Sequence, residues 1–326
     1  MKIVIPDDYQ DMVDKLDCYA LIRHHDVVRY REPARDLDQL VARLADADIV
    51  VSIRERVEFS LELLGRLPRL KLIALVGRNS HKLDFAAATA LGIPVSTGKS
   101  NSPVAPAELT LAMIMASRRN VSLEAERMKR GDWPCTLSHR LRGSTLGILG
   151  LGAIGDLVAA GGKGLGMQVL VFGREASAAK AKAAGYAVAK SQAELFERSD
   201  VLSLHVRLND STRGIVGAPD LARMKPTALI VNTSRAELIA PGALLEALRL
   251  GRPGYAAVDV YEQEPIVNGD HPFLSMPNVL CLPHLGWAEW TNFELYFREA
   301  FEQIEAFEKG LPMRLGNPRV KPRAAG

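Results

Sequence analysis

The sequence is short of the residues that mark several kinds of protein. Its three cysteines, Cys18, Cys135 and Cys281, are odd in number and far apart. They form no Cys-x-x-Cys pair and have no histidine at metal-ligand spacing, so neither a disulfide framework nor a metal site is expected. Charge of one sign is not in excess: 41 Lys and Arg against 38 Asp and Glu leave a net charge of +3. With no basic run standing out, no nucleic-acid surface is expected. The mildly basic tail, Asn317-Pro318-Arg319-Val320-Lys321-Pro322-Arg323, reads as a loose, solvated end. No apolar stretch reaches the roughly 18 residues that a membrane span needs. Met1-Lys2 leads directly into Ile3-Val4-Ile5, without the apolar region and small-residue cleavage site of a secretion signal. A soluble cytoplasmic protein with no membrane partner is the expectation. Internal repeats of solenoid period and low-complexity blocks are missing too.

What is present is material for two cores, since 326 residues, 48% of them hydrophobic, exceed the usual size of one domain. Short β-branched runs, "KIVIP", "VVRY", "DIVVS" and "KLIALVG", alternate with amphipathic or Ala-rich segments. Such alternation predicts βαβ units on a parallel sheet. The pattern restarts at Thr145 with "TLGILG" and continues through "MQVLVF", "SDVLSLH", "TALIVNTS" and "GYAAVDVY", which reads as a six-strand doubly wound sheet. Between the two series, Pro106 to Ala116 is helical by composition and reads as a connector. Near the end, Phe293, Phe297, Ala300, Phe301, Ile304 and Phe307 recur at helical spacing, which predicts a helix packed on a core. Thr291 with Glu294 suggests a capping box for it, and Gly310 suits its stop.

Gly150-Leu151-Gly152-Ala153-Ile154-Gly155 matches G-x-G-x-x-G. A bare match is weak, but this one follows an apolar strand and opens a helical segment, where the spacing has a mechanism. The first glycine allows the tight turn, the second lets the backbone approach a pyrophosphate, and the third lets helix and strand pack closely. The next strand should end in an Asp or Glu for the ribose 2′-hydroxyl, and here it ends Phe172-Gly173-Arg174. A carboxylate at Gly173 would repel a 2′-phosphate, whereas Arg174 offers one a planar fork of donors. NADP is the reading taken, with NAD left open by the alternative that Arg174 covers the adenine while Glu175 reaches the ribose. Two features stand outside this account. Asp156 suits the helix dipole but not a pyrophosphate, and the adjacent Gly161 and Gly162 should each cost a helix about 1 kcal/mol.

Arg235 in "VNTSRAE", Glu264 in "DVYEQEP" and His284 in "LPHLGW" interrupt the ends of apolar runs, at the sheet edge where open α/β folds bind ligands. Behind a dinucleotide loop these three fit one reaction. Hydride transfer to a ketone leaves an alkoxide that needs a proton, and a histidine kept protonated by a carboxylate supplies it. An arginine can grip a substrate carboxylate with two bonds and polarise the adjacent carbonyl.

With "TLGILGLGAIG", "VNTSRAELI", "AAVDVYEQEP" and "LPHLGW" in this order, the sequence resembles the D-isomer-specific 2-hydroxyacid dehydrogenases over nearly its whole length. The resemblance implies two doubly wound α/β domains. One is a Rossmann-type dinucleotide domain over 103–289; the other is a smaller, flavodoxin-like substrate domain made of 1–102 and 290–326, with the active site in the cleft between them. It implies His284 as acid/base, Glu264 as its partner and Arg235 as the substrate-orienting arginine. Thr233 to Arg235 would line the cofactor crevice, Asp259 would contact the nicotinamide end, and amides near Gly77 and Arg78 would bind the substrate carboxylate. A homodimer is the implied assembly, and a small 2-keto or 2-hydroxy acid such as glyoxylate or hydroxypyruvate the implied substrate.

The sequence departs from the family pattern in two places. Arg207 stands where proline is usual, and "VGRNSHKLD" replaces a loop richer in small residues. Arg54, Arg56 and Arg78 could add positive charge to the substrate pocket, which suggests a second anionic or polar group on the substrate. His81 is a rival acid without an apparent carboxylate partner, and Trp287 and Trp290 either wall the substrate or pack between domains. Two alternatives stand beside the reductase. A 3-phosphoglycerate dehydrogenase would use the Arg54–Arg56 region for phosphate, although the extra regulatory domain common in such enzymes is not seen before Gly326. A non-enzymatic NAD(H)-sensing interaction protein would resemble the co-repressors of this superfamily. Formate dehydrogenases pair the histidine with glutamine, so Glu264 argues against them.

Overall fold

A computed structural model of the chain describes residues 1–322, and Arg323 of the basic tail lies outside them. The chain divides into two compact units: Met1–Ser102 joined by the segment from Trp290 onward, and Pro103–Glu289.

The first unit is built on five parallel strands, β1 (Lys2–Ile5), β2 (Asp26–Arg29), β3 (Ile49–Ile53), β4 (Leu72–Val76) and β5 (Val95–Ser96), in the order β2-β1-β3-β4-β5. β3 and β4 are buried at every residue, which is why they read as unbroken apolar runs rather than as alternating ones. The helices Leu37–Leu44, Leu61–Gly65 and Phe85–Ala90 start at Asp36, Ser60 and Asp84, each of which accepts the backbone N–H three residues on. The helix Trp290–Glu308 buries Phe293, Phe297, Ala300, Phe301 and Ile304, the expected stripe, against β4 and the 3-10 turn Asp17–Leu21.

Two sequence expectations fail in this unit. That last helix starts at Trp290, so Thr291 lies inside it rather than before its first residue. Glu294 accepts instead from the Cys18 amide at 3.0 Å, a tertiary bond that outcompetes the local box. The tail is not loose at its start either. Asn317 is buried, with its amide side chain bonded to the Val95 N–H and the Ile93 carbonyl, both at 2.9 Å. Together with backbone bonds from Gly316 to the Val95 carbonyl and from Thr97 to the Arg314 carbonyl, both at 2.9 Å, it covers the edge of β5.

The second unit holds seven parallel strands rather than six. They are β6 (Thr145–Leu149), β7 (Gln168–Phe172), β8 (Ala187–Val188), β9 (Val201–Leu204), β10 (Leu229–Asn232), β11 (Tyr255–Val258) and β12 (Val279–Cys281). Their order is β12-β11-β10-β9-β6-β7-β8, so strand order reverses between β6 and β9. β8 and β12 are two and three residues long, too short for the pattern to register. The helix Val104–Arg118 belongs to this unit and lies against the helix Ala153–Gly164. That packing accounts for the paired glycines. A Cβ on Gly161 would come within 2.4 Å of Leu111, and one on Gly162 within 2.3 Å of Leu146. The helix gives up propensity to approach its neighbours closely. Among the described residues no helix is long and apolar enough to cross a membrane.

Candidate active site

The phosphate loop grows out of β6 at the point where strand order reverses. Gly150 has φ +91°, and a Cβ there would lie 2.7 Å from Val206 and 3.1 Å from the His205 backbone. Gly155 sits under the turn, where a Cβ would strike the Gly150 carbonyl at 2.4 Å. Gly152 is different: it is the N-cap of the Ala153–Gly164 helix without any side-chain cap, and a Cβ there would meet nothing within 4 Å. Ala153 is the exposed first helical residue, and Ile154 turns partly into the core. An uncapped helix start with open space above its glycine fits a dinucleotide pyrophosphate. Asp156 points elsewhere and pairs with Lys180 at 3.1 Å.

Two residues that sequence reasoning passed over shape this loop. Ser177 Oγ accepts from the Leu151 amide at 3.2 Å and would lie 3.0 Å from a Cβ at Gly173, so a larger residue at Gly173 would crowd it. His205 lies beneath the glycines, its Nε2 2.8 Å from Ser203 Oγ, and loss of solvent pulls its pKa down to about 4. A histidine after a strand that also precedes Arg207 was the available signal. Arg207 is exposed, and its carbonyl accepts from Thr212 Oγ1 at 2.6 Å, so the loop closes on itself where proline is usual. Arg174 is exposed directly before the helix Glu175–Ala183, its carbonyl accepting from the Ser177 amide at 2.8 Å and its side chain without a hydrogen bond or ion pair among the described residues.

The sheet's carboxyl edge gathers the remaining polar positions of this unit. After β10, the buried Asn232 ties its own turn together: its Nδ2 donates to the Arg235 carbonyl at 2.9 Å, and its Oδ1 accepts from the Ser234 amide at 3.0 Å. An Asn at a strand end is a turn-forming signal that pattern reading could have used. Thr233 Oγ1 lies 2.7 Å from Thr110 Oγ1, while Arg235, half-buried, has Nη1 on the Ser234 carbonyl at 2.6 Å. After β11, the fully buried Asp259 accepts from the amides of Leu285 and Gly286 at 2.7 and 2.8 Å. Burial pushes its carboxyl above the usual range, against the opposing pull of those two amides and of His284.

Asp259 thus anchors the loop that presents His284. This residue sits at φ +54°, a conformation a non-glycine side chain adopts only when its surroundings enforce it. His284 Nδ1 lies 2.6 Å from Glu264 Oε2, while Glu264 Oε1 accepts from the Tyr261 amide at 2.9 Å. Tyr261 closes the circuit by donating its hydroxyl to the Leu282 carbonyl at 3.0 Å. The carboxylate therefore fixes the ring through Nδ1 and leaves Nε2 for a proton transfer. Arg235, Glu264 and His284 all stand on this one sheet edge. Trp287 is buried just beyond the histidine, and Trp290 is exposed at the head of its helix.

In the first unit, Arg54 and Gly77 are neighbours. Gly77 has φ +117°, and a Cβ there would lie 3.0 Å from Arg54 Nη1. Arg54, itself at φ +55°, leans toward the Tyr296 ring, and the Arg78 side chain is exposed. The Arg56 guanidinium donates to the Asp7 carbonyl at 2.6 Å and to Gln10 at 2.7 Å and stacks over Tyr9. His81 is exposed and makes no ion pair among the described residues.

Comparison with known proteins bears on this geometry. The family model described as D-isomer specific 2-hydroxyacid dehydrogenase, NAD binding domain, matches residues 111–286. A glyoxylate reductase of Aeropyrum pernix is 36% identical, with 92% of each chain covered. A glycerate dehydrogenase of Methylorubrum extorquens is 32% identical over 85% of this chain and 88% of its own. Among solved structures, a phosphoglycerate oxidoreductase of Vibrio cholerae superposes with a TM-score of 0.91 at 45% identity, covering 95% of this chain and 99% of its own. The family match spans the phosphate loop, Arg235, Glu264 and His284 together, and the relatives extend it over nearly the whole chain. The chain belongs to the D-isomer specific 2-hydroxyacid dehydrogenase family.

Proposed function

We propose that this chain reduces a small 2-keto acid, such as glyoxylate or hydroxypyruvate, to the D-2-hydroxy acid. The observation that carries the reading is the 2.6 Å contact between His284 Nδ1 and Glu264 on a loop anchored by Asp259. A bound nicotinamide dinucleotide supplies the hydride. His284 delivers a proton from Nε2 to the oxygen that becomes the alcohol, and Glu264 stabilises the imidazolium that carries it. Arg235 binds the substrate carboxylate and polarises the carbonyl beside it. The Gly77 and Arg78 amides and the Arg54 guanidinium are assigned to substrate binding, Asp259 to the nicotinamide end, and Thr233 to the cofactor crevice. The printed functions of the Aeropyrum and Methylorubrum relatives support the substrate class.

NADPH is the proposed reductant. No carboxylate stands at Gly173 to repel a 2′-phosphate, and among the described residues nothing pairs with the exposed Arg174 side chain to compete for it. A cytoplasmic homodimer is the proposed state, supported by the exposed Met128, Trp133 and Leu137 on one stretch of the dinucleotide-binding unit. A second reading, action on 3-phosphoglycerate, is favoured by the description of the 45% identical Vibrio structure. The test is initial rates of NADPH and NADH oxidation with glyoxylate, hydroxypyruvate, phosphohydroxypyruvate and pyruvate. Fastest turnover of glyoxylate or hydroxypyruvate with NADPH is expected. Preference for the phosphorylated acid favours the second reading, and preference for NADH removes Arg174 from the phosphate.

A further inference from the structure

The turn before β2 and the end of the last helix bring three metal-ligand side chains together, away from every residue assigned above. His24 and His25 are adjacent in sequence, and Glu308 is the final residue of the helix Trp290–Glu308. His25 Nε2 lies 2.9 Å from Glu308 Oε1, and His24 Nε2 lies 3.8 Å from Oε2 of the same carboxylate. One ligand atom from each residue falls within 4.8 Å of the others. Two ligands on a tetrahedral zinc ion are about 3.4 Å apart, given bonds of about 2.0–2.1 Å to nitrogen and oxygen. The two observed separations straddle that distance.

A second observation separates this cluster from an ordinary surface ion pair. The His25 side chain is only 5% exposed, and although a Glu308 oxygen stands 2.9 Å from its Nε2, that nitrogen makes no well-aligned hydrogen bond among the described residues. A buried imidazole nitrogen without a hydrogen bond is rare and calls for a reason. A cation held between the three ligand atoms would supply one. The His24 side chain, 58% exposed, is free to close the remaining distance.

We propose that His24, His25 and Glu308 form a binding site for a borderline divalent cation, zinc foremost, with solvent completing the coordination. Two imidazoles and one carboxylate suit zinc, nickel or copper(II) and disfavour magnesium and calcium, which select all-oxygen sites. The site links the end of the last helix to the start of β2, and it clamps the first unit without touching the chemistry of the second. A cation bound there stabilises the folded chain by mass action.

The test uses full-length protein freed of metal by a chelator. Zinc is titrated by calorimetry and cobalt(II) by its visible absorption, with thermal unfolding followed at saturating zinc and, separately, at saturating magnesium. Expected are one zinc per chain, a cobalt spectrum of low coordination number, and a melting point raised by zinc but not by magnesium. His24→Ala and Glu308→Gln should each weaken zinc by roughly a hundredfold, at the upper end of what losing even an outer-shell partner costs. Neither change should alter the basal rate of keto-acid reduction. Because His24 is exposed, its replacement leaves the core intact, so the result does not depend on whether a His25 variant folds. Zinc affinity unchanged in His24→Ala, or no binding at micromolar zinc, overturns the site and leaves the cluster an ion pair.

Discussion

Both sheets are parallel and both reverse strand order beside their first strand, β1 in one unit and β6 in the other, yet the two crossovers are built from opposite materials. After β1 the chain runs Pro6-Asp7-Asp8 into short 3-10 turns. Asp8 turns its carboxylate onto the amides of Met12 and Val13 at 3.1 and 3.2 Å and onto Arg29, so the donors a phosphate would need are already taken. After β6 the chain runs Gly150-Leu151-Gly152 into a twelve-residue helix with no side-chain cap. The same topology is closed to an anion by acids in one unit and opened to it by glycines in the other. Two parallel sheets thus take different work because of the few residues after one strand.

The largest expected effect lies on the open edge. His284→Ala should lower keto-acid turnover by about 10³-fold while leaving reduced-dinucleotide binding intact, as measured by steady-state rates beside cofactor fluorescence titration. Retained turnover would take the proton from His284. Next, Gly152→Asp carries the acid of the first crossover into the second. Its Cβ meets open space, so the fold should hold, while dinucleotide affinity falls roughly a hundredfold from like-charge repulsion. Unchanged affinity would mean that the loop is not the phosphate site.

The crossovers also differ in how they answer pH. Both carboxyl oxygens of Asp7 are buried without a partner, and burial pushes its pKa up to about 7 against the pull of Arg56. The unfolded carboxyl releases its proton near 3.8 and the folded one near 7, so the folded chain loses stability as pH rises through that window. Asp7→Asn should flatten that fall and be the more stable protein above it, by on the order of a few kcal/mol. His205 runs the other way. Its ordinary value of 6.5 drops to about 4, so the unfolded state binds the proton first and stability is lost as pH falls between them. His205→Gln should shrink that acid loss, by on the order of 1–3 kcal/mol. Peptide-resolved hydrogen exchange across pH checks both, with the first response expected in the first unit and the second beside the phosphate loop. Matching responses in both units would dissolve the contrast. The smallest effect is expected from Gly161→Ala, where crowding of Leu111 should exceed the gain in helix propensity and cost about 1 kcal/mol in denaturant unfolding.

The placement of the candidate residues was legible because Arg235, Glu264 and His284 interrupt apolar runs at strand ends, and because the glycine spacing suits a tight strand-to-helix turn. Supporting residues were not legible. Ser177, His205 and Asn232 act on loops that are distant in sequence or folded back on themselves, and nothing in their local pattern says what they touch. The setting of Arg56 was hidden for the same reason: Asp7, Gln10 and Tyr9 meet its guanidinium only after folding. The Thr291–Glu294 box was a sound local rule that lost to the Cys18 amide.

By itself, then, the sequence determined the α/β class, the restart at Thr145, the phosphate turn and the residue types of the reaction, because periodicity, glycine spacing and charged interruptions are properties of neighbouring residues. Tertiary structure alone decided that Glu264 lies 2.6 Å from His284, that Asp259 holds the two amides that follow His284, and that Glu308 meets His24 and His25. These contacts join residues brought together by crossovers and helix packing, and their energies depend on distance and burial, which no run of neighbouring residues encodes.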